Sequence, residues 1–342
     1  MSNSKFNIAN ETILAIASEL DVAPDMVEKD MHVVKALKLI ASLNGICGFV
    51  PVFSGGTSLS KAHELIMRFS NDIDFKVTWQ NTAISPQAMT TLRNTFVSEH
   101  LVPTFAANGL KLVDKIKKWG RDGEDRYFMM LFEYEPESKY QLQLSPDIKI
   151  EITFESTRRL PVVKPISSFV AKALRKTPEV EAIHCVDPLE TAADKISAFL
   201  WRAKRDSILP EAKRDATLVR HLHDLVALRP VIDAAGLDFF AETAAMIGRE
   251  GTERLKTRNF DSAASFNAIS NELRRDDAWR RQYERFSLSF AYGDESKRIG
   301  FESAMENWRQ ISELLRAAEM AKPKTGEKTR HPGRRPNEPK RR

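Results

Sequence analysis

The sequence has little cysteine: Cys47 and Cys185 are the only two in 342 residues. Two cysteines make no disulfide framework and offer no metal-site spacing. No apolar run approaches the roughly 20 residues that cross a bilayer, so no membrane span is expected. The opening MSNSKFNIANET has no basic segment followed by an apolar one, and no signal peptide is expected. These absences together point to the cytosol. Metal-binding histidines are absent too, since His32, His63 and His100 have no partners at ligand spacing. There is no internal repeat.

Net charge is also scarce outside one segment. The chain carries +5, but residues 322–342 hold nine Lys/Arg and two Glu, a net of +7, so residues 1–321 sum to −2. That tail contains Pro323, Pro332, Pro336 and Pro339 and too little apolar surface to fold, so it is expected to be disordered. It suits either contact with nucleic-acid phosphates or simple solubilisation. At roughly 100–200 residues per domain, the remainder makes two domains.

Residues 10–45 read as two helices interrupted at Ala23-Pro24-Asp25, with Pro24 at a first helical position. In the second, Met26, Val33, Leu37 and Ile40 recur at helical spacing. Gly48–Phe53 is a short apolar strand ending in Ser54-Gly55-Gly56-Thr57, from which a helix runs to about Met67. Asp72–Val77 alternates strictly, with Asp72, Asp74 and Lys76 on one face and Ile73, Phe75 and Val77 on the other. Ser85-Pro86 starts a helix to about Leu101, with Ser85 as N-cap. Tyr127–Tyr134 is an aromatic strand. Leu142–Phe154 is another, broken near Ser145-Pro146, in which Lys149, Glu151 and Thr153 share a face. From Asp187-Pro188-Leu189-Glu190, a strong helix start, only helices follow to about Ala321. The expected layout is a mixed α/β domain over 1–186, an all-helical domain over 187–321 and the basic tail. The active site would lie in the cleft between the two domains.

Nucleotidyl transfer needs a cradle for a triphosphate and carboxylates for a metal that neutralises the transferring phosphate. Gly55-Gly56 lets backbone approach a phosphate at a strand–helix junction, with Ser54 and Thr57 as hydroxyl donors. Alone, such a pair is more often a tight turn. Asp72 and Asp74, at i and i+2 of a strand, leave the same face and suit Mg²⁺, which keeps water and phosphate ligands. The plain reading of that pair is a solvated strand face. Glu151 is the candidate third carboxylate, or a surface Glu paired with Lys149 or Arg158. Strand, Gly-Gly, helix, then strand with D-x-D is the order of the DNA polymerase β-like nucleotidyltransferases, which this segment resembles.

The resemblance then narrows. Phe53-Ser54-Gly55-Gly56-Thr57-Ser58-Leu59-Ser60-Lys61 followed by Arg68-Phe69-Ser70-Asn71-Asp72-Ile73-Asp74-Phe75 resembles motif I of the AbiEii/AbiGii toxin family, GGTxLxK … RxSxDhD. Glu28-Lys29-Asp30 resembles the family's EKD segment, and Lys149-Ile150-Glu151 its K-h-E strand. Glu190–Lys195 resembles the region where a lysine contacts nucleotide phosphates. Arg220–Leu225 resembles RD-h-x-D-L, although His221 stands where an acid is common. The resemblance covers roughly residues 20–230. It implies a bacterial toxin of a toxin–antitoxin or phage-defence pair, binding an NTP, with a cognate antitoxin and tRNA as acceptor.

The sequence reading is therefore a polymerase β-like nucleotidyltransferase domain with a mixed sheet. Asp72, Asp74 and Glu151 bind Mg²⁺. Ser54, Gly55, Gly56, Thr57, Lys61, Arg68, Ser70 and Lys195 hold the nucleotide, and Asp224 acts as base near the acceptor hydroxyl. Lys195 would face the cleft with Thr191 and Arg202. Two rivals stand beside it: a glycosyltransferase using D-x-D with a sugar nucleotide, and a non-catalytic module binding nucleotide or nucleic acid.

Overall fold

The computed structural model describes residues 8–70, 72–79, 84–121, 124–136, 144–255, 262–290 and 298–320. The basic tail lies outside them. In chain order the elements are α1 (Asn10–Leu20), α2 (Pro24–Ala41), β1 (Phe49–Ser54), α3 (Gly55–Lys61), β2 (Asp72–Trp79) and α4 (Pro86–Thr95). There follow α5 (Val102–Ala107), β3 (Lys111–Leu112), β4 (Lys117–Arg121), β5 (Glu124–Glu133), β6 (Asp147–Thr153), β7 (Val162–Ile166), α6 (Phe169–Ala173) and β8 (Val180–Cys185). The rest is helical: α7 (Pro188–Asp206), α8 (Arg220–Ala227), α9 (Arg229–Leu255), α10 (Ser262–Arg275), α11 (Asp277–Phe290) and α12 (Phe301–Met320).

The strands form one mixed sheet in the order β3-β5-β6-β2-β1-β8-β7, with β4 also on β5. β1 and β2 are antiparallel, whereas β2 runs parallel to β6 and β1 parallel to β8. Alternation explains how the sheet seats itself. Ile73, Phe75 and Val77 of β2 and Ile148, Ile150 and Ile152 of β6 are buried in one core with Leu37, Phe96 and Phe105. The charged residues between them take the other face. A second core joins α7–α12 around Phe199, Trp279 and Trp308, and it includes Leu59 from α3 and Ile66 from the loop after it.

Several local expectations needed correction. The helix after the Gly-Gly pair stops at Lys61, short of Met67. The N–H groups of Ala62 and His63 both bond the Ser58 carbonyl, and Glu64 turns left-handed at φ 55°. The helix capped by Ser85 passes Leu101 and runs to Ala107 through a π-helical stretch over Phe96–Leu101. The strand expected from Leu142 begins at Asp147, after the Ser145-Pro146 break, and residues 142–143 lie outside the described part. Strands β3, β4, β7 and β8 were not foreseen. β7 contains Pro165 and is an edge strand, where a missing N–H costs least.

Candidate active site

Ladder register assembles the site. Ser54, the last residue of β1, pairs with Asp74, while Asp72 pairs with Lys149 and Asp74 with Glu151. Partners directly opposite share a face, so Asp72, Asp74, Lys149 and Glu151 project together. Gly55 then turns the chain at φ 74°, and a side chain there would run into the Asp74 carboxylate. At Gly56 a Cβ would lie 2.5 Å from Nη2 of Arg68. Both glycines therefore make room for charged groups of the site as well as baring the backbone. Opposite stand α7 and α8. Asp187 caps α7 by accepting from the Leu189 N–H at 2.8 Å, and Pro188 occupies its first position. That phase turns Thr191, Lys195 and Arg202 toward the sheet. Together with Arg220 they close a cavity of about 560 Å³ whose floor is Ser54, Gly55, Gly56, Ser70, Asp72 and Asp74.

Both walls mix charges, with Asp72, Asp74 and Glu151 on the sheet and Lys195, Arg202, Arg205 and Arg220 on the helical side. Asp74 is the least compensated carboxyl: burial, then Glu151 and Asp72, push its pKa up to about 7. Asp72 has partners, with Lys149 Nζ at 3.2 Å and Arg220 Nη1 at 3.3 Å from Oδ2. Lys149 also reaches Glu151 at 2.8 Å. With this ammonium between Asp72 and Glu151, no group of three or more carboxylate, imidazole or thiol side chains is arranged to hold a metal ion among the described residues. Asp72 and Asp74 nevertheless suit a divalent cation. They are adjacent oxygen ligands, and burial together with the neighbouring Glu151 and Asp72 makes the charged form of Asp74 costly until a cation joins it.

Asp224 sits elsewhere in the scheme than expected. It is wholly inaccessible, and both its oxygens are taken. Arg68 donates to it from Nε at 2.6 Å and Nη2 at 2.7 Å, and Lys195 Nζ lies 2.7 Å away. Burial opposes its charge, but Arg68 and Lys195 outweigh that and hold its carboxyl well below the ordinary range. A carboxylate so paired and buried outside the cavity lining is out of reach of an acceptor hydroxyl, so it positions the two cations. Lys61 is also displaced from its expected place. Its ammonium pairs with Asp30 and lies 3.9 Å over the Phe169 ring, outside the cavity. The Thr57 hydroxyl is buried and donates to the Asp72 carbonyl, tying α3 to β2. The other expected residues, Ser54, Gly55, Gly56, Arg68, Ser70, Lys195, Asp72, Asp74 and Glu151, all line the cavity.

Arg202 lines it, as its helix face led one to expect, and so do Lys76, Arg205, Asp194, Thr217 and Arg220, none of which was assigned a role from sequence. For Lys76 the signal was present, because it lies two residues beyond Asp74 on the same face. It is held by Glu190 at 2.8 Å, Asp194 at 2.9 Å and Glu155 at 3.0 Å. Glu190 also accepts the backbone N–H groups of Arg158 and Arg159, which fixes the start of α7 against the sheet. His221 is buried at the cavity wall and held neutral by burial, with Lys195 and Arg220 adding to that.

Residues 49–311 match the family described as nucleotidyl transferase AbiEii toxin, type IV TA system. The chain belongs to the AbiEii nucleotidyltransferase toxin family. It is thus a nucleotidyltransferase toxin of a type IV toxin–antitoxin system, with a nucleotide substrate and an antitoxin counterpart. Membership sets aside the sugar-nucleotide and non-catalytic rivals. No curated protein matches the chain. Among solved structures, it is similar to MenT4, a nucleotidyltransferase toxin from Mycobacterium tuberculosis H37Rv. The two are 13% identical, the match covers 91% of this chain and 99% of that one, and the TM-score is 0.40. That likeness is too distant to bear on residue roles. No described helix is long and apolar enough to cross a membrane.

Proposed function

We propose that this AbiEii toxin transfers a nucleotide from an NTP to a tRNA acceptor, with Mg²⁺, in the cytosol and in the service of phage defence. One observation carries the reading: Asp72 and Asp74 lie side by side against the bare Gly55-Gly56 turn, in one cavity with Lys195, Arg68 and Arg220. Asp72 and Asp74 would hold the Mg²⁺, with Glu151 as the neighbouring third carboxylate. Bound there, the ion neutralises charge on the transferring phosphate.

The chain's own residues do the rest. Gly55 and Gly56 let the triphosphate approach the backbone, and Ser54 and Ser70 offer hydroxyls. Arg68 and Lys195 supply positive charge across the cleft, and Asp224 fixes both in place before substrate arrives, so no reorganisation is needed at the moment of reaction. Arg220 and Lys149 fix the orientation of Asp72. The order of these charges supports phosphoryl chemistry, and the resemblance of the motifs supports tRNA.

The test is incubation of the protein with Mg²⁺, total bacterial tRNA and each labelled NTP in turn, beside Asp72→Ala. Label entering tRNA from one NTP and lost in the variant supports the reading. Full transfer by Asp72→Ala would refute the metal assignment, and label on protein instead of tRNA would refute the acceptor.

A further inference from the structure

The catalytic face of the sheet does not end at Glu151. Antiparallel pairing continues it outward: Glu151 faces Met129, Tyr127 faces Trp119, and Met129 faces Lys117. Paired residues share a face, so Lys117, Trp119, Tyr127 and Met129 extend the plane that holds Asp72 and Asp74. Trp119 is 52% exposed and packs on Tyr127 in a tilted contact, with ring centroids 4.2 Å apart and planes 36° apart. The Tyr127 hydroxyl, its pKa raised by burial, lies in reach of the Glu151 carboxylate, which raises it further. The aromatic pair thus begins at the carboxylates and ends in solvent.

The strand is anchored from behind. Lys118, one residue over and on the opposite face, meets Asp125 at 2.7 Å and the Asn94 carbonyl oxygen of α4 at 2.9 Å. A bulge follows Trp119, and Gly120 there lies so close to the Glu124 carbonyl that no side chain fits. On the exposed side, Lys117 makes no ion pair among the described residues. A cavity of about 540 Å³ runs from Leu131, farther along β5 on this face, to Asp72.

An exposed tryptophan packed on a tyrosine, flanked by an exposed lysine with no ion pair among the described residues and on the face of the site's carboxylates, matches the chemistry of unpaired nucleotides. Bases stack on aromatic rings in any sequence, and lysine meets the phosphates. We propose that the Trp119–Tyr127 edge of the sheet, with Lys117, is where the single-stranded end of the RNA acceptor lies on its way to Asp72. This rests on the reading of the acceptor as RNA.

Full-length protein answers the question, with Trp119→Ala, Trp119→Phe and Lys117→Ala compared in nucleotide transfer to tRNA. The KM for tRNA should rise about tenfold or more in Trp119→Ala, the scale of losing one stacked base. It should return most of the way in Trp119→Phe and rise severalfold in Lys117→Ala, with a shallower dependence on salt. The KM for the NTP and the melting temperature should hold in all three. An unchanged KM for tRNA in Trp119→Ala, in an enzyme that labels tRNA, overturns the platform and leaves the RNA reading standing. A rise in both KM values by the same factor also overturns it, because it marks a structural role. Wild-type enzyme that labels no RNA overturns both.

Discussion

Two aspartates of this toxin, Asp74 lining the cleft and Asp224 buried behind it, are shifted in opposite directions. Asp74 is pushed up to about 7 by burial and by Glu151 and Asp72, whereas Asp224 is held well below the usual carboxylate range by Arg68 and Lys195. Side-chain chemistry is identical, so the difference lies wholly in the neighbours. The group left short of positive charge is the one prepared for a cation. The group already satisfied by two cations is scaffold. Burial alone opposes the charge of both, and only the neighbours reverse the sign at Asp224.

The largest test of that contrast is Asp224→Ala. It strands Arg68 and Lys195 as buried, unpaired cations and should cost about 3–5 kcal/mol, read as a lower denaturant midpoint. Transfer should fall with it. Asp74→Asn should do the reverse to stability. It relieves repulsion with Glu151 and Asp72, so the metal-free protein should melt higher at pH 8, while transfer falls on the order of 10³-fold, the scale of charge stabilisation in phosphoryl transfer. A variant of Asp224 as stable as wild type, or an Asp74→Asn protein that melts lower, would collapse the comparison.

The pH dependence sharpens it further. With its folded pKa raised, Asp74 binds a proton more readily in the native than in the unfolded chain. Its penalty is absent below the ordinary carboxylate pKa, grows as pH rises toward about 7 and is complete above it. Metal-free wild type should therefore gain stability relative to Asp74→Asn as pH falls from 8 to 5. Over the same range protons compete with the cation, so the Mg²⁺ concentration giving half-maximal transfer should climb. Asp224 should contribute nothing to either trend over that range. The smallest effect is expected at Lys61, whose pairing with Asp30 lies outside the cavity. Lys61→Met should leave the KM for the NTP within about twofold, a scale of 0.4 kcal/mol or so.

Why some of this was legible is a matter of range. The alternation of Asp72–Val77 and Ile148–Thr153 is local, so it displayed both the apolar core face and the charged face. Spacing brought out the Gly55-Gly56 turn and the two aspartates. The Asp187-Pro188 start set the phase of α7 and with it Lys195. Asp224 is 156 residues from Arg68, and no periodicity reveals that partner. Lys61 was misassigned for the same reason, since Asp30 lies on α2, a different element. The short strands β3, β4 and β7 escaped notice because length and proline weaken their pattern, and β4 brought the Trp119 surface with it.

The Asp224 pairing has a mechanical side. Arg68 comes from the loop between α3 and β2, Lys195 from α7 and Asp224 from α8, so one buried anion clasps the sheet to the helices at the back of the cleft. Leu59 and Ile66, sunk in the helical core, fasten the same seam. Swinging the halves apart would break the pairing of three buried charges, a motion costlier than moving a loop. The jaws are therefore riveted at the hinge, and Arg202 and Arg205 of α7 stay set against the sheet across the cavity they line.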